Sequence, residues 1–162
     1  MKSFAIGILL VILLSIVIEP LVEMMEIGRE KVILSTTLNN ACRATVLSLE
    51  YEKLRDLDAK IEEVEFLDKF SEVFQEAMNL RELNRNSNIV TFASNDGKYN
   101  NIIVEVDIEE DVDPFTDQEV SKVRLKAESV YKFKTKYLKE VAGSVPDYSL
   151  RSERIYVFSV KN

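Results

Sequence analysis

From Phe4 to Ile18 the chain reads FAIGILLVILLSIVI, an uncharged run of fifteen residues broken only by Ser15. As helix this run covers roughly 22 Å at about 1.5 Å per residue, somewhat short of the ~30 Å hydrocarbon slab of a bilayer. The apolar pattern resumes past Glu19 through Leu21, Val22, Met24, Met25 and Ile27, so a helix over residues 1–27 reaches across the slab if Glu19, Glu23 and Glu26 lie near its far side. A cleaved export signal would end on small residues. Here Ser15 is followed by Ile16, Val17, Ile18, Glu19 and Pro20, which favours a retained anchor. Pro20 removes one helical hydrogen bond, and because the apolar pattern continues beyond it, it marks a bend rather than a stop. A plain single-pass anchor whose Pro and Glu merely mark the interface is the simpler alternative. Lys2 and the terminal amine stand on the near side, which places the N-terminus in the cytoplasm and residues 28–162 outside it.

Beyond Ile27 the period stays helical for some thirty residues, with Leu34, Leu38, Ala41/Cys42, Thr45 and Leu49 along one face. This predicts a stalk helix that leaves the membrane, joins a folded domain along one side, and falters near LRDLDAKIEE. A second helix follows in EFLDKFSEVFQEAMNLREL, where Phe66, Leu67, Phe70, Val73, Phe74, Ala77 and Met78 match the i, i+3, i+4, i+7 template. After residue 87 the period changes to two. NIVTFAS, NIIVEVDIEE and VSKVRLKAE predict antiparallel strands, and SERIYVFSVKN, apolar on both faces from Ile155 to Phe158, predicts a well-covered last strand. SVYKFKTKYLKEVAG suits a strand end followed by a short helix stopping at Gly143.

Placing Val106 opposite Val123 also sets Asp107 against Lys122 and Glu105 against Arg124, so one register satisfies both faces. Putting Val90 and Phe92 on the same face as Val104 and Ile102 requires an odd-length loop around Asp96-Gly97-Lys98. The expected fold is α+β: a long N-terminal membrane and stalk helix plus a second helix packed on a roughly four-stranded antiparallel sheet.

Composition narrows the chemistry. Acids outnumber bases by 28 to 21, a formal charge of -7, so no basic surface is available to hold nucleic acid. Histidine is absent and Cys42 is the only cysteine, which removes internal disulfides, His/Cys metal sites and histidine-based triads. DIEEDVDPFTDQE gathers Asp107, Glu109, Glu110, Asp111, Asp113, Asp117 and Glu119, but its spacing fits no EF-hand and a solvated bend accounts for it better than a cation site. Tyr131, Phe133, Tyr137, Tyr148, Tyr156 and Phe158 suit either a carbohydrate-binding face or a core. Cys42, beside the apolar stripe, suits a buried thiol better than an intermolecular bridge. Gly7 and Ser15 form no GxxxG pair. No catalytic, cofactor or metal site is expected.

IEPLVEMMEIGREKVILSTTLNNACRAT is similar to the corresponding stretch of the tight-adherence minor pilins of the TadE type. The matching positions are Glu26, Ile27, Gly28, Arg29, Asn39, Asn40, Ala41, Arg43 and Ala44. The order of elements, an interfacial Pro included, also resembles the type IV pilin architecture. Two positions depart from it: counted from Phe4, the fifth residue is Ile8 where pilins carry Glu, and Ser3 stands where Gly or Ala precedes the processing cut. The likeness covers residues 15–50 well and the remainder, VRLKAESVYKFKTKYL included, in outline, and the processing signal departs from it.

What the resemblance implies is a pilin-like or pseudopilin structural component of a surface filament or its assembly machinery. It would act by packing Phe4, Ile8, Leu9, Val11, Ile12, Ile16, Ile18, Met24 and Met25 against lipid and then sister helices, with Glu19 and Pro20 setting the bend and Glu26, Gly28, Arg29, Asn40 and Arg43 as the stalk motif. The implied partners are membrane lipid, further copies or other pilin-like subunits, and a pilus assembly platform. A single-pass protein with a non-polymerising outer domain that binds or regulates is the competing class.

Overall fold

In the computed structural model the described residues are 2–56, 61–112, 119–134, 138, 140 and 148–159. One helix, α1 (Lys2–Asp56), takes up a third of the chain and extends for about 80 Å. It runs unbroken across the expected boundary at residue 27 and holds Pro20 in its interior. The second helix, α2 (Glu63–Met78), lays Phe66, Leu67, Phe70, Phe74 and Met78 inward. Five strands follow in a single antiparallel meander: β1 (Leu80–Asn86), β2 (Ile89–Ser94), β3 (Ile102–Val112), β4 (Glu119–Tyr131) and β5 (Tyr148–Ser159). The class is α+β, as the hydrophobic pattern predicted, with one strand more than expected.

That additional strand is carved from the expected end of the second helix. Asn79 stops α2 in the left-handed region at φ 53°, its N–H donating to the carbonyls of Gln75 and Glu76, and the chain turns directly into β1. Arg85 then ties β1 back to α2, donating to both Glu82 oxygens at 3.0 and 2.9 Å and to Asp68, with Ser71 at 3.4 Å.

Both helices pack on one face of the sheet, giving a two-layer body. Leu34, Leu38, Ala41, Cys42 and Leu49 of α1 meet Phe66, Phe70 and Phe74 of α2 and the inward side chains of the sheet, among them Val90, Phe92, Val104, Val123 and Leu125. The three α2 rings stack along the helix, and Phe74 meets Phe92 edge-on at 5.3 Å between centroids. Val90 opposes Val104 and Phe92 opposes Ile102, the predicted register, with Gly97 in the connecting loop at φ +69°.

The β3–β4 register differs from the expectation by two residues: Val106 meets Leu125, Asp107 meets Arg124 and Glu105 meets Lys126. A two-residue slip preserves the face of every side chain and still puts acid opposite base, so the alternation could not discriminate between the two. Ion pairs form across the solvent face from Lys126 to Glu105 at 3.2 Å, from Arg124 to Glu153 at 3.7 Å and from Arg151 to Glu128 at 2.8 Å. No second layer covers that face in the described residues. Ile155 and Val157 are therefore 51% and 60% exposed, contrary to the well-covered last strand expected. Leu138 and Glu140 are helical, and the rest of the expected short helix lies outside the described residues.

Candidate functional site

From Phe4 to Met25 the large apolar side chains of α1 are 47–77% exposed, and no part of the folded body covers the most apolar stretch. Phe4, Ile8, Leu9, Val11, Ile12, Ile16, Ile18, Met24 and Met25 are all among them. The helix is long and apolar enough to cross a membrane, with a mean hydropathy of 2.8 in its most apolar window. Gly7 leaves an open apolar depression bordered by Phe4, Ile8, Val11 and Ile12. Ser15 donates its hydroxyl to the Val11 carbonyl at 3.0 Å, which satisfies the one polar side chain in the run without a partner helix.

Four acids, Glu19, Glu23, Glu26 and Glu30, follow at spacings of four, three and four, so they form one stripe on the helix. They do not simply face water at an interface. Beyond Tyr131 the end of β4 folds down onto this stripe as a strap, Tyr131 to Lys134. The Lys134 backbone N–H donates to Glu23, its ammonium lies 3.3 Å from Glu26, and the Tyr131 hydroxyl donates to Glu26 at 3.4 Å. Lys134 also lies over the Tyr131 ring, whose edge meets Phe133.

As a result Glu23 is only 3% exposed, while Glu19 and Glu26 stay accessible and Pro20 is half-buried. Burial, followed by the negative field of Glu23, Glu26 and Glu30, pushes the Tyr131 phenol up to about 12. The Glu30 carboxyl is raised, chiefly by burial, with Lys134 opposing and Glu26 reinforcing. Between strap and helix lies a groove of about 300 Å³ lined by Ile18, Glu19, Val22, Glu23, Glu26 and Lys134.

The stalk motif falls elsewhere. Glu26, Arg29, Asn40 and Arg43 are spaced by three, eleven and three residues, which at about 100° per residue puts them on one side of α1, opposite Leu34, Leu38, Thr45 and Leu49. All four, and Gly28, are exposed. Asn39, not Asn40, meets the sheet, accepting from the Tyr156 hydroxyl. Comparison with protein-family models, with curated proteins and with solved structures returns no match.

Of the acid-rich bend, Asp107 pairs with Lys126 and Asp111 with Lys122, and Asp113 and Asp117 lie outside the described residues. Among the described residues no group of His, Cys, Asp or Glu is arranged to hold a metal. The aromatics divide: Tyr131 is buried, Phe133 and Tyr156 are half-buried and Tyr148 is exposed, while Tyr137 and the Phe158 side chain lie outside the description. Sequence reasoning missed the pairing of Glu23 with Lys134. The 4-3-4 spacing of the acids, continuing the buried stripe toward the membrane, was the available signal.

Proposed function

We propose that this protein is a membrane-anchored, pilin-like structural component of a surface filament or its assembly machinery, working by helix packing rather than catalysis. The observation that carries it is the length of apolar helix, Phe4 to Met25, that the folded body leaves uncovered while sharing the same continuous α1. Apolar surface of this extent requires lipid or other helices around it. The side of α1 away from the core supports the same reading. It presents Arg29, Val32, Asn40, Arg43 and Leu47 in line with the span, with Val32 64% and Leu47 46% exposed. Such a stripe lets a neighbouring helix continue its contact from the bilayer onto the stalk.

The test places a photo-crosslinking residue at Ile12, and separately at Arg43, in the full chain in its native membrane. Crosslinks from both positions to further copies or to similar subunits are expected, while the chain starting at about residue 28 stays monomeric. A monomeric full chain crosslinked at Ile12 to lipid alone would favour an anchored, non-polymerising binding or regulatory domain. Intact mass adds a second reading of the same sample: a start at Phe4 means pilin-type processing and a start at Met1 a retained anchor. A start beyond residue 20 defeats both.

A further inference from the structure

Two separate measures put the lower end of the folded body at the height where the apolar span ends. The first is the strap. A hydrocarbon slab of ~30 Å takes about 20 residues of helix, so a span counted from Lys2, the charge that precedes the uncharged run, leaves hydrocarbon at about Val22. Lys134 donates its backbone N–H to Glu23, one residue further on, and lines the same groove as Ile18 and Val22. The Tyr131 hydroxyl reaches Glu26, about 6 Å up the helix from Val22. A headgroup layer is about 5–7 Å thick on each side of the slab, so the strap lies within it. The second measure is β5. Its Arg154 meets Ser35 and its Tyr156 meets Asn39, so the strand climbs in the direction of α1. Six residues before Arg154, at about 3.4 Å each, Tyr148 comes roughly level with Val22. Tyr148 pairs with Tyr131, so both measures end on the same edge of the sheet.

We propose that this lower edge, Tyr131 to Lys134 together with Tyr148, seats the folded body on the phospholipid headgroup layer of the bilayer that α1 spans, a contact that rests on the anchor reading above. The side chains suit that layer. Tyr148 is 46% exposed and carries a ring with a polar tip, which the boundary between hydrocarbon and water favours. Lys132 and Lys134 are exposed, each an ammonium on a long apolar stem that lies along lipid while its donors reach phosphate oxygens. Phe133 between them is half-buried and packed against the core, which fixes the strap to the body. The bonds to Glu23 and Glu26 then hold the edge at this height on the helix. The body therefore does not ride on a free stalk. α1 leaves the membrane already flanked by the sheet, and tilting the body away from the helix would break those bonds.

Because the chain has no tryptophan, a single substitution supplies a fluorescent reporter of depth. Tyr148→Trp, Phe133→Trp, Ile12→Trp and Tyr51→Trp are each made in the full chain and placed in phosphatidylcholine vesicles whose acyl chains carry bromine either near the glycerol end or near the methyl end. Bromine near the glycerol end should quench the reporters at 148 and 133 several-fold more than the one at 51, which lies about 43 Å beyond Val22 along α1. The reporter at 12, near the middle of the span, should respond most to bromine near the methyl end. Adding Lys132→Glu to Tyr148→Trp, both at exposed positions, should lower the quenching at 148. Quenching at 148 and 133 no greater than at 51, with that at 12 retained, would overturn the seat and leave the anchor standing. Quenching at 148 untouched by Lys132→Glu would overturn the phosphate contact. An unquenched reporter at 12 would overturn the anchor and the seat together.

Discussion

Cys42 and Phe74 show how differently two fully buried residues answer to chemistry. The Cys42 thiol is pushed up to about 12 by burial among apolar side chains, so it stays protonated and unreactive while the chain is folded. Aromatic disulfide reagents at pH 8 should label it at the rate of unfolding and at once in denaturant. The linkage has a definite sign. An unfolded thiol ionises near 9 and the folded one near 12, so the native state holds the extra proton across that window. Stability is fully present below about pH 9 and declines as pH rises toward 12, and Cys42→Ala should remove that part of the slope in denaturation midpoints. Phe74, by contrast, contributes packing alone, in contact with Phe70 and Phe92. Phe74→Ala should cost about 3–5 kcal/mol in chemical denaturation. Tyr51→Ala, at an 80% exposed position, should stay within about 0.5 kcal/mol.

Among the elements, the junction between α2 and β1 is the one that backbone geometry decides. Asn79 occupies φ 53° and also receives the Asn95 side chain on its own amide oxygen at 3.2 Å. Asn79→Val should cost about 1–2 kcal/mol, since a β-branched residue resists the left-handed region, whereas Asn79→Gly should cost far less. Thermal melts of the two variants side by side separate backbone strain from the lost side-chain bond. The same junction explains why β1 was not legible. The Leu, Arg and Glu residues of LRELNRN favour helix and none of the seven is β-branched, so its propensity does not point to strand, and only Asn79 just past the periodic run marks a stop. The inward stripes of α1 and α2 and the β2–β3 register were legible because burial enforces a period of 3.6 or 2 and fixes which residues share a face. The β3–β4 register was not, because acid-base alternation repeats every two residues. Nor was the exposure of Ile155 and Val157, since an apolar strand does not say whether a second layer exists to cover it.

For the whole molecule, the strap matters because it is the contact that ties the far end of the sheet to the base of the stalk, joining residues more than a hundred positions apart through Tyr131, Lys134, Glu23 and Glu26. None of this was visible as a motif: the acids looked like interface markers, and the lysine that meets them comes from the opposite end of the chain. Glu30 lies beside this contact, and the balance there is testable. Burial raises its carboxyl, Lys134 lowers it, Glu26 raises it further and Lys98 opposes, with burial the largest of the four. A carboxyl raised on folding stabilises the native state below its unfolded value, near 4.3, and loses that contribution as pH climbs through the folded value. At neutral pH the charged Glu30 is therefore a net cost, held in place by the fold around it. Glu30→Gln keeps the size and removes the charge, so its thermal midpoint should lie above that of the unsubstituted chain at pH 7. The two should converge below about pH 4, where both side chains are neutral. A lower midpoint for Glu30→Gln at pH 7 would mean that attraction to Lys134 and Lys98 outweighs desolvation, and that the strap is held by charge at this point rather than in spite of it.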